Sequence, residues 1–248
     1  MIDSEARIAR YRAARASVLD RIAAACAQTG RDPGDVTLVA VSKTVPADAL
    51  RDAVEAGLDL LGENRVQEAL AKFPEVPGAR WHLVGPLQSN KARRAVEVFE
   101  VIESVDSVEL AGRLDRLARE LRPGERYPIL LQVNVDVDPA KAGFDAADLP
   151  RAVDSIERMD ALDVRGLMTI GRLVDRPEEA RTTFRALRAT AERLRASGAR
   201  IGPDLSMGMT DDFELAIEEG ATIVRVGRAL FGERDHDHEH GGAHSHGH

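Results

Sequence analysis

Two hydrophobic spacings alternate along this chain. Short apolar runs stand at 38–41, 58–61, 81–84, 100–102, 129–133, 164–168, 204–206 and 222–226. Between them lie longer stretches whose apolar residues recur every three or four positions, at 47–56, 66–72, 89–96, 108–121, 147–159, 178–197 and 211–218. The first pattern predicts buried strands and the second predicts helices with one face on a core. Ahead of them all, Ile8, Tyr11, Val18, Leu19 and Ile22 share one face of an amphipathic helix expected to plug or flank the rest. Gly57 and Gly220 follow helices in AVEAG and AIEEG, where a left-handed C-cap is expected.

Strict alternation of strand and helix implies parallel strands with right-handed crossovers. Eight such units are the number at which a parallel sheet closes. The predicted fold is therefore α/β, a single (β/α)8 TIM barrel with an extra N-terminal helix, over residues 1–232. An open doubly wound sheet is the rival, and it would normally carry a glycine-rich dinucleotide loop after its first strand. Here that position reads Val41-Ser42-Lys43-Thr44, and no G-x-G-x-x-G occurs in the chain.

Composition narrows the function. The chain has 248 residues with a net charge of −8, which argues against nucleic-acid and anionic-membrane partners. Cys26, the sole cysteine, excludes an internal disulfide and fits a buried helix position better than a nucleophile. No apolar run reaches membrane-spanning length, and the opening MIDSEARIAR is not signal-like, so a cytoplasmic protein is expected. Beyond residue 232 the chain becomes ERDHDHEHGGAHSHGH, with six of the seven histidines. This tail, 233–248, is expected to be disordered; such tracts can bind divalent metals, but it is no sign of a metal active site.

Barrel active sites are built from the loops at the C-terminal ends of the strands. Those ends offer Lys43, Glu63-Asn64, His82 with Gly85, Ser104 with Asp106, Asn134, Met168-Thr169, Ser206-Met207-Gly208 and Arg225-Val226-Gly227. Strand ends are often polar for no functional reason, yet three features go further. Lys43 directly follows an interior strand. A snorkelling surface lysine is the plain reading, but partial desolvation there would favour the free amine that Schiff-base chemistry needs. The glycine turns after strands seven and eight suit phosphate, since glycine lets backbone N–H groups approach an anion closely. Asp211 and Asp212 read as helix caps rather than reactive acids. Finally, alternation puts Val224 and Val226 outward and Arg225 into the lumen with Ile223. A lumen arginine needs a partner, either a carboxylate such as Glu63 or a cofactor heteroatom.

The stretches LVAVSKT (38–44), LLGENRVQEA (60–69), WHLVGPLQSNK (81–91), GLMTIG (166–171) and LSMGMTDDFELAIEEGATIVRVGRALFG (205–232) together resemble the pyridoxal phosphate (PLP) homeostasis proteins. Their barrel is similar to the N-terminal domain of alanine racemase. The resemblance implies that Lys43 carries pyridoxal 5'-phosphate as an internal aldimine, that Ser206 and Gly227 hold the phosphate, and that Arg225 lies near the pyridine nitrogen. It also implies Asn64 and His82 in the pocket, with Met207, Gly208 and Arg228 near the phosphate. Thr210 stands where serine is expected, and Arg65 where an aromatic is common.

An arginine at the pyridine nitrogen leaves the ring a poorer electron sink than a carboxylate would. Racemisation needs two bases on opposite faces, and alanine racemase takes one from an extra C-terminal β domain that is missing from this pattern. The expectation is a monomeric, non-enzymatic PLP carrier serving apo PLP enzymes, with vitamin B6 homeostasis as its role. A low-activity PLP enzyme acting on amino acids is the alternative. A Schiff-base aldolase would explain Lys43 but not the phosphate turns or Arg225.

Overall fold

A computed structural model describes residues 3–171, 174 and 176–232; the histidine-rich tail lies outside the described residues. Helix α1 (Ser4–Thr29) comes first, followed by strand β1 (Thr37–Val41), α2 (Ala47–Glu55), β2 (Leu60–Glu63), α3 (Val66–Lys72), β3 (Arg80–Leu83) and α4 (Ala92–Val98). The chain continues through β4 (Val101–Val105), α5 (Val108–Leu121), β5 (Tyr127–Asn134), the two-residue β6 (Phe144–Asp145), α6 (Leu149–Ile156) and β7 (Leu162–Met168). It ends with α7 (Arg181–Ala196), β8 (Asp204–Ser206), α8 (Phe213–Glu218), β9 (Ile223–Val226) and α9 (Arg228–Phe231).

Parallel pairing runs β1–β2–β3–β4–β5–β7–β8–β9 and returns from β9 to β1, so eight strands close into a barrel. The short β6 pairs only with the outer end of β5. Side chains alternate between two cores. Val39, Leu60, Val84, Leu130, Met168 and Ile223 form a small apolar cluster inside the lumen. The outward-facing positions, including Ala40, Leu61, Leu83, Val224 and Val226, join the larger core beneath the helices.

The first helix flanks the barrel and does not plug it. Its apolar face, with Ile8, Tyr11, Val18, Ile22 and Cys26 buried, packs on α2, α8 and α9. Ser4 and Arg7 clasp Asp52 of α2 at 2.7 and 2.5 Å, and Arg7 also reaches Asp48 at 3.0 Å. Gly57 and Gly220 are left-handed, at φ 90 and 101°, as their position after α2 and α8 predicts. Only one of the two expected aspartate caps is in place. Asp212 occupies the N-cap of α8, but its carboxylate accepts from the Met209 N–H of the preceding turn at 2.6 Å. Asp211 instead pairs with Arg228.

Candidate functional site

Strand β1 ends at Val41, and the chain turns at Lys43-Thr44, where the Val45 N–H donates to the Ser42 carbonyl at 3.0 Å. Thr44 has φ 67°, a conformation that a β-branched residue adopts only when its surroundings impose it. Lys43 is half-buried and, among the described residues, has no ion-pair or hydrogen-bond partner. It borders a cavity of about 510 Å3 together with Gly227, Arg228 and, from α1, Arg7, Arg10 and Tyr11. No carboxylate lines this cavity, although the protein as a whole is acidic. Gly227 is close-packed: a Cβ there would sit 3.2 Å from the Val41 carbonyl oxygen. An uncommitted amine beside a cationic, glycine-walled cavity can bind an anionic carbonyl compound covalently.

Below the mouth, the lumen holds a buried polar chain. Arg225, 5% exposed, donates from Nη1 to Ser206 Oγ at 2.5 Å and from Nη2 to the Thr169 carbonyl at 2.7 Å. Ser206 in turn donates its hydroxyl to Glu103 Oε2 at 2.5 Å. The other oxygen of Glu103 meets His82 Nδ1 at 2.7 Å. Burial pushes the Glu103 carboxyl up, but His82, Arg225 and Ser206 outweigh it and hold the group below the ordinary glutamate range. Burial pulls the Arg225 guanidinium down, opposed by Glu103 and Asp212.

The expected site residues therefore divide among several places. Lys43, Gly227 and Arg228 share the cavity beside α1. Ser206 and Arg225 lie in the lumen, and the Ser206 hydroxyl is already engaged at both ends. His82 does not stand at the mouth as its place in the third strand suggested. It borders a cavity of about 300 Å3 at the opposite end of the barrel, with Thr37, Arg80, Arg165 and Asp204. Asn64 lines a third cavity of about 730 Å3 beside Gln88 and Lys91. The Met207 side chain is fully buried in the core under the helices. Gly208 has φ 92°, which favours glycine, and a Cβ there would also come within 2.6 Å of the Ala216 methyl. The carboxylate expected to partner Arg225 also changes. Glu63 faces outward, where it takes 2.7 Å bonds from Lys72 and Ser42, and Glu103 occupies the lumen.

The alanine racemase N-terminal domain family matches residues 18–235. The pyridoxal phosphate homeostasis protein of Pseudomonas aeruginosa is 44% identical over 226 residues, covering 89% of this chain and 94% of that protein. This chain belongs to the pyridoxal phosphate homeostasis protein family. Among solved structures, PipY of Synechococcus elongatus with PLP bound is 44% identical, with a TM-score of 0.75, over 87% of this chain and 100% of that one. The alanine racemase of Clostridium difficile is only 17% identical at a TM-score of 0.63, covering 88% of this chain and 56% of that one; it shows the shared barrel and no more.

Within this family member, two groups at the site escape a reading by strand ends. Arg7, Arg10 and Tyr11 arrive from a helix that precedes the barrel, so nothing in the strand pattern points to them. Glu103 carries a usable signal, since an acid inside the strand V-I-E-S-V at lumen parity is as anomalous as Arg225. The described residues hold no cluster of three or more potential metal ligands and no helix long and apolar enough to cross a membrane.

Proposed function

We propose that this chain is a PLP carrier that holds the cofactor covalently on Lys43 and buffers or delivers it, without useful turnover of a substrate. The observation that carries the reading is Lys43 itself: an uncommitted amine in a strained turn, on a cavity with cationic and glycine walls and no carboxylate. PLP supplies, when bound, an aldehyde on a pyridine ring together with a phosphate dianion. The Lys43 amine condenses with the aldehyde as one water leaves. Gly227 gives the phosphate close backbone approach, and Arg10 lends it positive field, while Arg7 and Arg228 already pair with Asp48, Asp52 and Asp211. Gly208 and Met207 contribute through the turn they form, since the Met207 side chain faces the helices. If the ring reaches Arg225, as the family resemblance implies, a pyridine nitrogen against it would stay unprotonated, because Arg225 cannot surrender a proton, and the ring would withdraw electrons weakly.

A carrier needs reversible capture and an open route out, and both suit a site at a barrel mouth whose outer wall is a docked helix. The name of the Pseudomonas aeruginosa relative and the PLP bound in PipY support the same reading. The test is the absorbance of purified protein before and after borohydride reduction, followed by peptide mapping. A pyridoxyl group on Lys43 is expected. A group on Lys91 or Lys141 would move the site, and colourless protein that takes up no added PLP would end the proposal.

A further inference from the structure

We propose that Glu103 is a positioning residue of the PLP site, acting through Ser206 and Arg225. The inference rests on the reading of Lys43 and Arg225 given above. The two hydrogen bonds of the Arg225 guanidinium, to Ser206 Oγ and the Thr169 carbonyl, end on neutral groups. Its charge is therefore balanced at longer range, and Glu103 is the first carboxylate to do so, ahead of Asp212. Glu103 is fully buried on β4, across the lumen from β9. Its two oxygens are fixed in opposite directions, one by the Ser206 hydroxyl and one by His82 Nδ1. An ionised carboxylate only accepts hydrogen bonds, so the direction of every bond in the chain is determined. His82 carries its proton on Nδ1 and donates to Glu103. Ser206 donates to Glu103 and presents its lone pair to Arg225.

Donors thus converge on Glu103 from both sides, His82 from the cavity below and Ser206, itself bonded by Arg225, from above. Glutamine at 103 breaks that convergence with little change in volume. Its amide oxygen can accept from only one of the two neighbours, while its NH2 confronts the other. Facing His82, the NH2 forces the ring to the opposite tautomer. Facing Ser206, it leaves that hydroxyl with two donors and no acceptor. Either way Arg225 loses the anion that balances it, and buried charges without a partner reposition or recruit water.

Two measurements on the full chain test this. Nitrogen-15 NMR of the wild type, assigned by comparison with His82→Gln, should find His82 with its proton on Nδ1; a proton on Nε2 alone would overturn the proposal. In Glu103→Gln, PLP affinity should fall about 10–100-fold, the scale of hydrogen bonds to charged groups, and the visible absorption maximum of the bound form should shift. Glu103→Asp, which keeps the charge, should recover part of both. Borohydride mapping separates the two claims. Label on Lys43 with unchanged affinity and spectrum in Glu103→Gln sinks the positioning role alone, whereas label elsewhere in the wild type sinks the site reading beneath it. Should Glu103→Gln not fold, Glu103→Asp and the wild-type tautomer still decide.

Discussion

The ring of Tyr11 meets that of Phe231 nearly edge-on, with centroids 5.5 Å apart and planes at 79°. Tyr11 belongs to the first helix and Phe231 to the last, and both line the cavity that holds Lys43. The contact ties the two ends of the described chain together over the proposed cofactor site. Tyr11→Ala should cost about 2–4 kcal/mol in urea unfolding, as for other large aromatic truncations with an edge-to-face partner. It should also speed PLP release, measured by transfer to an apo PLP enzyme. Unchanged release in a destabilised Tyr11→Ala would mean that α1 is structural padding and not a wall of the site.

Lys43→Ala should abolish cofactor absorbance while leaving the barrel folded, because Lys43 sits in a turn after β1 and makes no bond to other described residues. Its circular dichroism and melting temperature should match those of the unliganded wild type. A protein that still colours with PLP after this change places the covalent link on another lysine.

Ser206→Ala distinguishes two roles for the hydroxyl. A phosphate ligand would lose affinity for PLP and none for pyridoxal, which lacks the phosphate. The geometry favours the other outcome, since Ser206 is completely buried and joins Glu103 to Arg225. We expect a similar loss for both compounds, about 1–2 kcal/mol, the scale of one hydrogen bond to a charged group. A loss confined to PLP would return Ser206 to the phosphate.

Asp52 anchors α1 beside the cavity. Burial pushes its carboxyl up, but the bonds from Ser4 and Arg7 outweigh this and hold it below the ordinary aspartate range. A depressed folded-state value means stabilisation that is complete at neutral pH and is lost as the pH falls below about 4. Asp52→Asn should accordingly lower stability at pH 7 and converge on the wild type in strongly acid solution. Parallel urea titrations at pH 7 and about pH 3.5 would check the sign; an equal gap at both would show that the ion pair contributes nothing.

The barrel was legible because its periods were clean, and the failures occurred where burial and polarity disagree. Leu58 was expected to open the second strand, but it follows the left-handed Gly57 and donates its N–H back to Ala53 at 2.9 Å, so its apolar side chain closes α2. The strand begins two residues later and includes Glu63. The fourth strand was likewise cut off before Glu103, which lies inside it. Reading strands as apolar runs cuts them short, and here it left out two buried acids inside strands, Glu63 facing the helices and Glu103 facing the lumen. Arg225 was found because its alternation was followed through, and the same step applied to V-I-E-S-V would have supplied its partner. Lys43 and Gly227 were singled out by position and Arg228 through the resemblance, and the three border one cavity. His82 was misplaced because a residue at the third position of a short strand reaches down the lumen as readily as up.

The carrier reading makes its riskiest claim about chemistry that should not happen. An added amino acid can at most displace the Lys43 amine from the cofactor. Removing its α-proton further requires a positioned base, worth roughly 10²–10⁴-fold in rate, and a ring able to accept the charge. The residues around the Lys43 cavity include three arginines and one tyrosine but no histidine or carboxylate. His82 is occupied with Glu103 and borders the cavity at the far end of the barrel. Exchange of the α-proton in deuterated buffer, tried with several L- and D-amino acids, should therefore run no faster than with PLP bound to a simple amine. In the same preparation, PLP should reach an apo enzyme faster than it escapes into solvent. Apart from the displaced Lys43 amine, Tyr11 is the one side chain among the described residues bordering the cavity that could take a proton, and Tyr11→Phe should leave both rates unchanged. Stereospecific exchange well above the reference and lost in Lys43→Ala, whether or not Tyr11→Phe also removes it, would make this protein an enzyme.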